Sequence, residues 1–131
     1  MSINYIDISP LPTLNTDLEI DGKYPQSVTT FRDQILQSDG FLFASPEYNY
    51  FVTAPLKNAI NWASRPPNVW ADKATMIVSV GGGFGGRQSF FNAFESPPKF
   101  DDEGNLIDLE AKERLKSVLN ALKAFTLRLN K

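Results

Sequence analysis

The sequence contains neither cysteine nor histidine. Thiol catalysis, disulfide bonds and cysteine-ligated metals are therefore excluded, as are a Ser-His-Asp triad and histidine-bound metals. We predict no metal site. Any chemistry must use carboxylate, lysine, arginine, tyrosine or serine groups, backbone amides or a bound cofactor. The lack of cysteine also favours a cytoplasmic location.

A strong charge of one sign and long apolar runs are missing as well. Thirteen basic and fifteen acidic residues give a net charge of −2, which does not indicate nucleic-acid binding. No apolar run approaches the ~18 residues of a membrane-spanning helix, and the N-terminus MSINYIDISP does not resemble a signal peptide. A chain of 131 residues with 42% apolar residues is expected to form a single domain, residues 1–131, with a small core.

Three predicted strands alternate with three predicted helices, which indicates an α/β fold. Residues 3–8 alternate apolar and polar side chains, residues 41–44 form an apolar run typical of a strand buried on both faces, and residues 75–80 are rich in β-branched side chains. Helical spacing predicts helices over residues 26–37 with a cap at Gln26 or Ser27, from a Thr53 cap to the prolines at 66 and 67, and over residues 109–129. Residues 88–104 are predicted to be a loop.

Two loops follow predicted strands and are the strongest candidates for a binding site. Residues 45–52 combine tyrosines with an asparagine, and residues 81–87 are almost entirely glycine. In an open parallel sheet, ligands bind outside the carboxyl ends of the strands. Either loop alone can equally be an ordinary crossover turn. The pair favours a site for a flat heteroaromatic ring, which backbone groups would contact at its edge and aromatic side chains at its face.

Other motifs carry less information. Gly81, Gly83 and Gly86 match G-x-G-x-x-G, but no convincing helix start follows, so a dinucleotide-binding motif is disfavoured. The acidic run at residues 101–103 is predicted to be a solvated turn rather than a cation site. Trp62 and Trp70 flank a proline-rich turn and are predicted to pack in the protein or at an oligomer contact.

Four segments together resemble the NAD(P)H-dependent FMN reductase and quinone reductase family. They are residues 45–50 (SPEYNY), 54–65 (APLKNAINWASR), 81–87 (GGGFGGR) and 99–108 (KFDDEGNLID). The likeness extends from Tyr5 to Asn130 and is greatest to the soluble plant and bacterial quinone reductases. It implies a flavodoxin-like fold, in which a three-layer arrangement places a parallel sheet between helices.

The resemblance also implies a cofactor and a reaction. FMN is the expected cofactor and NAD(P)H the co-substrate, with two-electron reduction of a quinone by a ping-pong route that needs no protein acid. Family members commonly form homo-oligomers with each flavin near a subunit boundary. The matching positions imply that the flavin ring contacts Pro46, Glu47, Tyr48, Asn49, Gly81, Gly82, Gly83 and Phe84.

Two departures from the family pattern predict an abbreviated domain with about three strong strands and three helices. The N-terminal strand, its phosphate-binding loop and the helix after it are expected to be missing, and so is a segment after the glycine loop. Loss of the phosphate contacts would weaken FMN binding by several orders of magnitude. Two alternatives therefore remain: a non-catalytic partner of full-length subunits, and a general NAD(P)H:flavin reductase.

Overall fold

The computed structural model describes residues 1–81, 91–92 and 98–130. Helices and strands alternate along these residues, which confirms the predicted α/β class. They form two compact units, one from Met1–Asp39 with Ala54–Lys73 and the other from Gly40–Thr53 with the described part of Ala74–Lys131. In chain order, the elements are a 3-10 turn at Thr16–Leu18, α1 at Gln26–Leu36, β1 at Gly40–Ala44, β2 at Glu47–Tyr48, β3 at Phe51–Val52, α2 at Ala54–Ser64, β4 at Ala74–Val78, β5 at Val80–Gly81, β6 at Phe91–Asn92 and α3 at Leu109–Leu129.

Helices α1 and α2 pack against each other in the first unit. Both bury most of the apolar positions that their helical spacing predicted, but Leu36 at the end of α1 is exposed and Ile60 on α2 is only partly buried. The predicted cap of α1 is wrong, because Gln26 and Ser27 lie inside the helix. Its N-cap is Pro25, which makes no side-chain cap and whose carbonyl oxygen accepts a hydrogen bond from the backbone N–H of Thr29 at 2.9 Å. The buried apolar residues are Val28, Phe31 and Ile35 on α1 and Leu56, Ala59, Trp62 and Ala63 on α2.

The C-terminal end of α1 is capped by a lysine from a distant part of the chain. Lys73 Nζ donates hydrogen bonds to the carbonyl oxygens of Ile35 at 2.7 Å and Leu36 at 2.9 Å. Burial lowers the pKa of Lys73. A cation at this position adds a donor to two carbonyl groups of the last turn, of which that of Ile35 also accepts from the Ser38 N–H at 3.1 Å, and complements the negative end of the helix dipole.

Strands β1 and β4 form a parallel pair in the second unit, with Gly40 opposite Ala74 and Ala44 opposite Val78. Both strands were predicted. Burial of β1 on both faces was wrong, since Phe41 is its one buried residue. The pair is two-stranded in the described part of the chain. The faces of a parallel sheet are buried by helices packed on them, and among the described residues α3 is the helix that packs on this pair, through β4.

Helix α3 has the predicted bounds and approaches the sheet closely. The Asp108 carboxylate caps it by accepting from the backbone N–H of Ala111 at 2.7 Å, a hydrogen bond that holds the pKa of Asp108 below its usual range. A Cβ on Gly40 would lie 2.8 Å from Thr126 Oγ1, so glycine is required where α3 meets β1. Ala111 and Leu122 are buried on α3, whereas Phe125 remains about half exposed.

The strand predicted over residues 3–8 does not form. Ile3 and Tyr5 are exposed, so the alternating pattern does not bury a face, and a strand without a paired neighbour is not stable.

A second prediction is also corrected by the structure: Phe91–Asn92 was assigned to a loop but pairs in parallel with β5. A two-residue ladder is too short to leave a periodic signal. No helix among the described residues is long and apolar enough to cross a membrane.

Candidate functional site

Strands β1 and β4 end side by side in the second unit. Beyond their last pair, the Ser45 N–H donates to the Val78 carbonyl oxygen at 3.1 Å. Ser45 and Ser79, the residues that follow the two strands, are both buried. The strands that lead to the two candidate loops therefore end side by side, as the sequence predicted, and residues 82–87 of the second loop lie outside the described residues. Ligands bind at this edge of an open α/β sheet.

The first loop is a two-residue β-hairpin. Glu47 in β2 pairs with Val52 in β3, and Tyr48 pairs with Phe51. The connecting residues Asn49 and Tyr50 both have positive φ, 51° and 64°, as a type I′ turn requires. Three of the predicted ring-contacting residues thus have defined places: Glu47 and Tyr48 in a strand, and Asn49 in the turn.

The base of this hairpin is fixed by Ser45. Its hydroxyl donates to the Pro46 carbonyl oxygen at 2.9 Å and accepts a longer contact of 3.4 Å from the Thr53 N–H. The Thr53 hydroxyl is also 3.4 Å from the Ser45 hydroxyl. These contacts join the two ends of the loop, so the hairpin starts and finishes at one point of the sheet edge.

Tyr50 has a strained backbone and an 80% exposed side chain. A left-handed conformation costs a bulky residue about 1–2 kcal/mol, whereas glycine adopts it freely but loses about 0.5–1 kcal/mol of backbone entropy. We therefore expect Tyr50→Gly to increase the free energy of unfolding by about 0.5–1 kcal/mol in urea titrations followed by circular dichroism. The matched substitution Tyr48→Gly, at a strand position, should decrease the free energy of unfolding, because glycine weakens a strand. Equal effects of the two would contradict the turn assignment.

The hairpin and the strand ends enclose a small open cleft. Its empty space is about 200 Å³ including the part open to solvent. Phe51 and Ile77 are each about half exposed, so apolar surface is available to a ligand. The lining residues are Ser45, Pro46, Glu47, Phe51, Val52, Ile77 and Ser79.

This lining fits one edge of a flavin ring. Apolar side chains suit the face of a planar heterocycle, and hydroxyl and backbone groups suit its polar edge. Of the predicted ring-contacting residues, Pro46 and Glu47 line the cleft, and Tyr48 and Asn49 continue the same hairpin. Gly81 lies in β5. Gly82, Gly83 and Phe84 lie outside the described residues.

Phe51 and Val52 lie in the predicted loop at residues 45–52, but sequence reasoning did not assign two of the lining residues, Ile77 and Ser79, to the site. One signal was available for them. Side chains alternate along a strand, so Ile77 and Ser79 share a face of β4 and its continuation. The apolar character of residues 75–80 predicted a strand and gave no sign that two of its side chains line a ligand site.

The other sequence signals have structural explanations. Trp62 and Val69 are buried, and Trp70 contacts Phe31 edge-to-face at 6.2 Å, which confirms packing around the proline-rich turn. The Asp101 carboxylate accepts from the Asn105 N–H at 2.7 Å and from its side-chain amide at 2.9 Å. These bonds close a turn and hold the pKa of Asp101 below its usual range. No group of three or more potential metal ligands occurs among residues 1–81, 91–92 and 98–130.

Comparisons with known proteins give a consistent result. Residues 1–94 match the family model described as NADPH-dependent FMN reductase. An NADPH:quinone oxidoreductase of Arabidopsis thaliana is 57% identical over 98% of this chain and 76% of its own length. An NAD(P)H-dependent FMN reductase of Pseudomonas aeruginosa is 36% identical over 98% of this chain and 80% of its own. Among solved structures, the flavoenzyme NAD(P)H:(acceptor) oxidoreductase FerB of Paracoccus denitrificans aligns over 94% of this chain and 77% of its own, with a TM-score of 0.64 and 26% identity.

The alignments also reveal an internal difference. The match to the Arabidopsis protein extends over 150 residues, more than the 131 residues of this chain. The relative therefore contains positions inside the matched region to which nothing in this chain corresponds.

Proposed function

The chain belongs to the NADPH-dependent FMN reductase family, and from this membership we propose that it is an FMN-dependent NAD(P)H:quinone oxidoreductase. Its flavodoxin-like α/β fold and its relatives support oxidoreductase chemistry of the NAD(P)H dehydrogenase (quinone) type. The observation that carries the proposal is the cleft at the adjacent ends of β1 and β4. This is where a flavodoxin-like sheet binds its cofactor.

We propose that two loops hold the flavin ring. The first contributes Pro46, Glu47, Tyr48 and Asn49, and the second contributes Gly81, Gly82, Gly83 and Phe84. FMN, when bound, supplies the redox chemistry by accepting a hydride from NAD(P)H and passing it to the quinone. The protein binds and orients the ring, and apolar side chains such as Phe51 and Ile77 exclude water from its face. No side chain is proposed as a catalytic acid or base.

The proposal extends to the whole chain. Residues 1–131 would form one abbreviated FMN reductase-like domain, supported by relatives that match almost its full length. We further propose a homo-oligomer in the cytoplasm, supported by the half-exposed apolar residues of α3 and by the lack of cysteine. Light scattering of the purified chain tests the oligomeric state.

The function is tested with the purified full chain. We expect FMN titration to quench flavin fluorescence and NADH or NADPH to be oxidised when a benzoquinone is added. Phe51→Ala should weaken FMN binding about 2- to 12-fold, since an aromatic contact is worth about 0.5–1.5 kcal/mol. Phe125→Ala is the matched control, because Phe125 is also about half exposed but lies on α3. Protein that binds no flavin and oxidises no NAD(P)H would refute the proposal.

The choice of acceptor separates quinone reduction from general flavin reduction. If free flavin is reduced faster than benzoquinone at equal concentration, the protein is a flavin reductase. A second candidate, a non-catalytic partner of full-length subunits, is favoured by Phe125, Leu127 and Leu129, which are all exposed at the end of α3. Colourless protein that co-purifies with a co-expressed full-length relative would support that candidate.

A further inference from the structure

Helix α3 concentrates positive charge in an otherwise acidic chain. It carries five of the thirteen basic residues and only two of the fifteen acidic ones. The helix therefore has a net charge of +3, whereas the rest of the chain, with eight basic and thirteen acidic residues, has a net charge of −5. So uneven a distribution orients the protein near an anionic surface, with α3 turned toward it.

Three of these basic residues lie on one line along the helix. Lys112, Lys116 and Lys123 are separated by four and seven residues, so they share one side of α3, and all three are exposed. Leu109 and Leu127 continue the same line at its two ends, about 27 Å apart, and are 77% and 57% exposed. Together these five residues form the lysine stripe.

The lysine stripe is separate from the side of α3 that packs on the sheet. Ala111 and Leu122 are the buried residues of α3, which contacts β4. Phe125 lies roughly 160° around the helix from Leu127, so it belongs to another face. Lys116 Nζ is 3.7 Å from a Glu113 carboxylate oxygen, but both side chains are well exposed, and an ion pair of this kind contributes little.

We propose that the lysine stripe docks α3 on the surface of a membrane that contains anionic phospholipids, with the helix lying along the headgroups. The ammonium groups attract the anionic headgroups, and their long alkyl stems allow the helix to lie low enough for the two leucines to enter the interface. The leucines favour a lipid surface over an acidic protein or a nucleic acid, since a purely ionic partner would leave them in water. Docking would also place the chain beside quinones dissolved in the lipid, and only this link to activity rests on the proposed function.

The docking is tested by co-sedimentation of the purified full chain with phosphatidylcholine vesicles, with and without phosphatidylserine. We expect weak, reversible binding that requires phosphatidylserine and is lost at about 1 M salt, where the Debye length is about 3 Å. Lys123→Gln should weaken binding about 5-fold, and the combined Lys112→Gln, Lys116→Gln and Lys123→Gln variant about 100-fold. Leu127→Gln should weaken it about 3- to 12-fold, because roughly half of a leucine side chain no longer enters the interface.

Lys23→Gln is the matched control. Lys23 is also exposed but lies in a turn outside α3, so its substitution makes the same change in net charge and should leave binding within about 2-fold of the wild type. The thermal midpoint by circular dichroism should be unchanged in every lysine variant, since exposed lysine and glutamine have similar helix propensities.

Three results would overturn the inference. Equal binding to vesicles with and without phosphatidylserine would show that the lysines are not involved. Equal weakening by Lys23→Gln and Lys123→Gln would show that net charge, not the lysine stripe, governs binding. If light scattering showed instead that the combined variant dissociates an oligomer while the wild type binds no vesicles, the stripe would be a subunit contact. Co-sedimentation requires no flavin, so none of these results bears on the proposed reductase activity.

Discussion

Replacement of Trp62 with alanine is expected to reduce the free energy of unfolding by about 3–5 kcal/mol. Trp62 is fully buried in α2 and lies edge-on to Tyr24, with ring centroids 6.3 Å apart. Its deletion leaves the largest cavity that one substitution can make in this core. Since a domain of this size has a total stability of roughly 5–15 kcal/mol, a substantial fraction of the variant should be unfolded at 37 °C.

The control for cavity formation is Trp62→Phe. The indole Nε1–H donates to the Pro12 carbonyl oxygen at 2.7 Å, but this oxygen also accepts from the Asn58 side chain at 2.9 Å. Phenylalanine therefore leaves Pro12 with a partner and retains most of the ring volume, so its cost should be well under half that of alanine. Urea unfolding followed by circular dichroism at 222 nm measures both variants independently of tryptophan fluorescence. Similar losses for the two would show that the indole hydrogen bond, not the cavity, dominates.

The packing role of Trp62 was predictable, but its partner was not. The helical period of residues 54–64 identifies the buried face of α2 from local spacing alone. The contact with Pro12 joins residues fifty positions apart in the sequence, and no local pattern encodes it. The same limit explains why residues 3–8 were predicted as a strand: alternation is local, whereas strand formation requires a partner whose position depends on the whole fold.

The candidate site was predictable to a similar extent. Two runs of strand-forming residues in an α/β order predicted that the strands before the loops at residues 45–52 and 81–87 would end at one sheet edge, and the parallel pairing of β1 with β4 confirms this for the strand ends. The positive φ of Tyr50 was not predictable, since glycine is the residue normally expected there. The burial of Ser79 beside the cleft depends on how neighbouring side chains point, which only coordinates show.

Arg32 illustrates a polar residue whose burial has a structural cause. Helix α2 ends at Ser64, and Pro66 and Pro67 follow it. Proline has no N–H, so the Trp62 carbonyl oxygen lacks the donor that residue 66 would normally supply and accepts only a long backbone contact of 3.4 Å from the Arg65 N–H. Arg32 is 5% exposed and its guanidinium supplies that donor from α1, at 2.9 Å.

The same guanidinium satisfies two further carbonyl groups at the end of α2. It donates to the Arg65 carbonyl oxygen at 3.0 Å and to that of Pro67 at 2.7 Å. The Tyr24 ring lies against it at 4.5 Å, close enough for a cation–π contact. A planar fork with several fixed donors suits three separate acceptors better than an ammonium group does.

Arg32→Met should therefore reduce the free energy of unfolding by about 2–4 kcal/mol, because each carbonyl left without a donor costs roughly 1–3 kcal/mol and water can reach two of the three. Arg32→Lys keeps the charge but cannot reach all three oxygens, so it should recover only part of the loss. Urea unfolding of both variants gives the comparison. Full recovery by lysine would show that positive charge alone is required. A change below about 0.5 kcal/mol for methionine, the size of an ordinary surface substitution, would show that the carbonyl groups find other donors and that Arg32 does not cap α2.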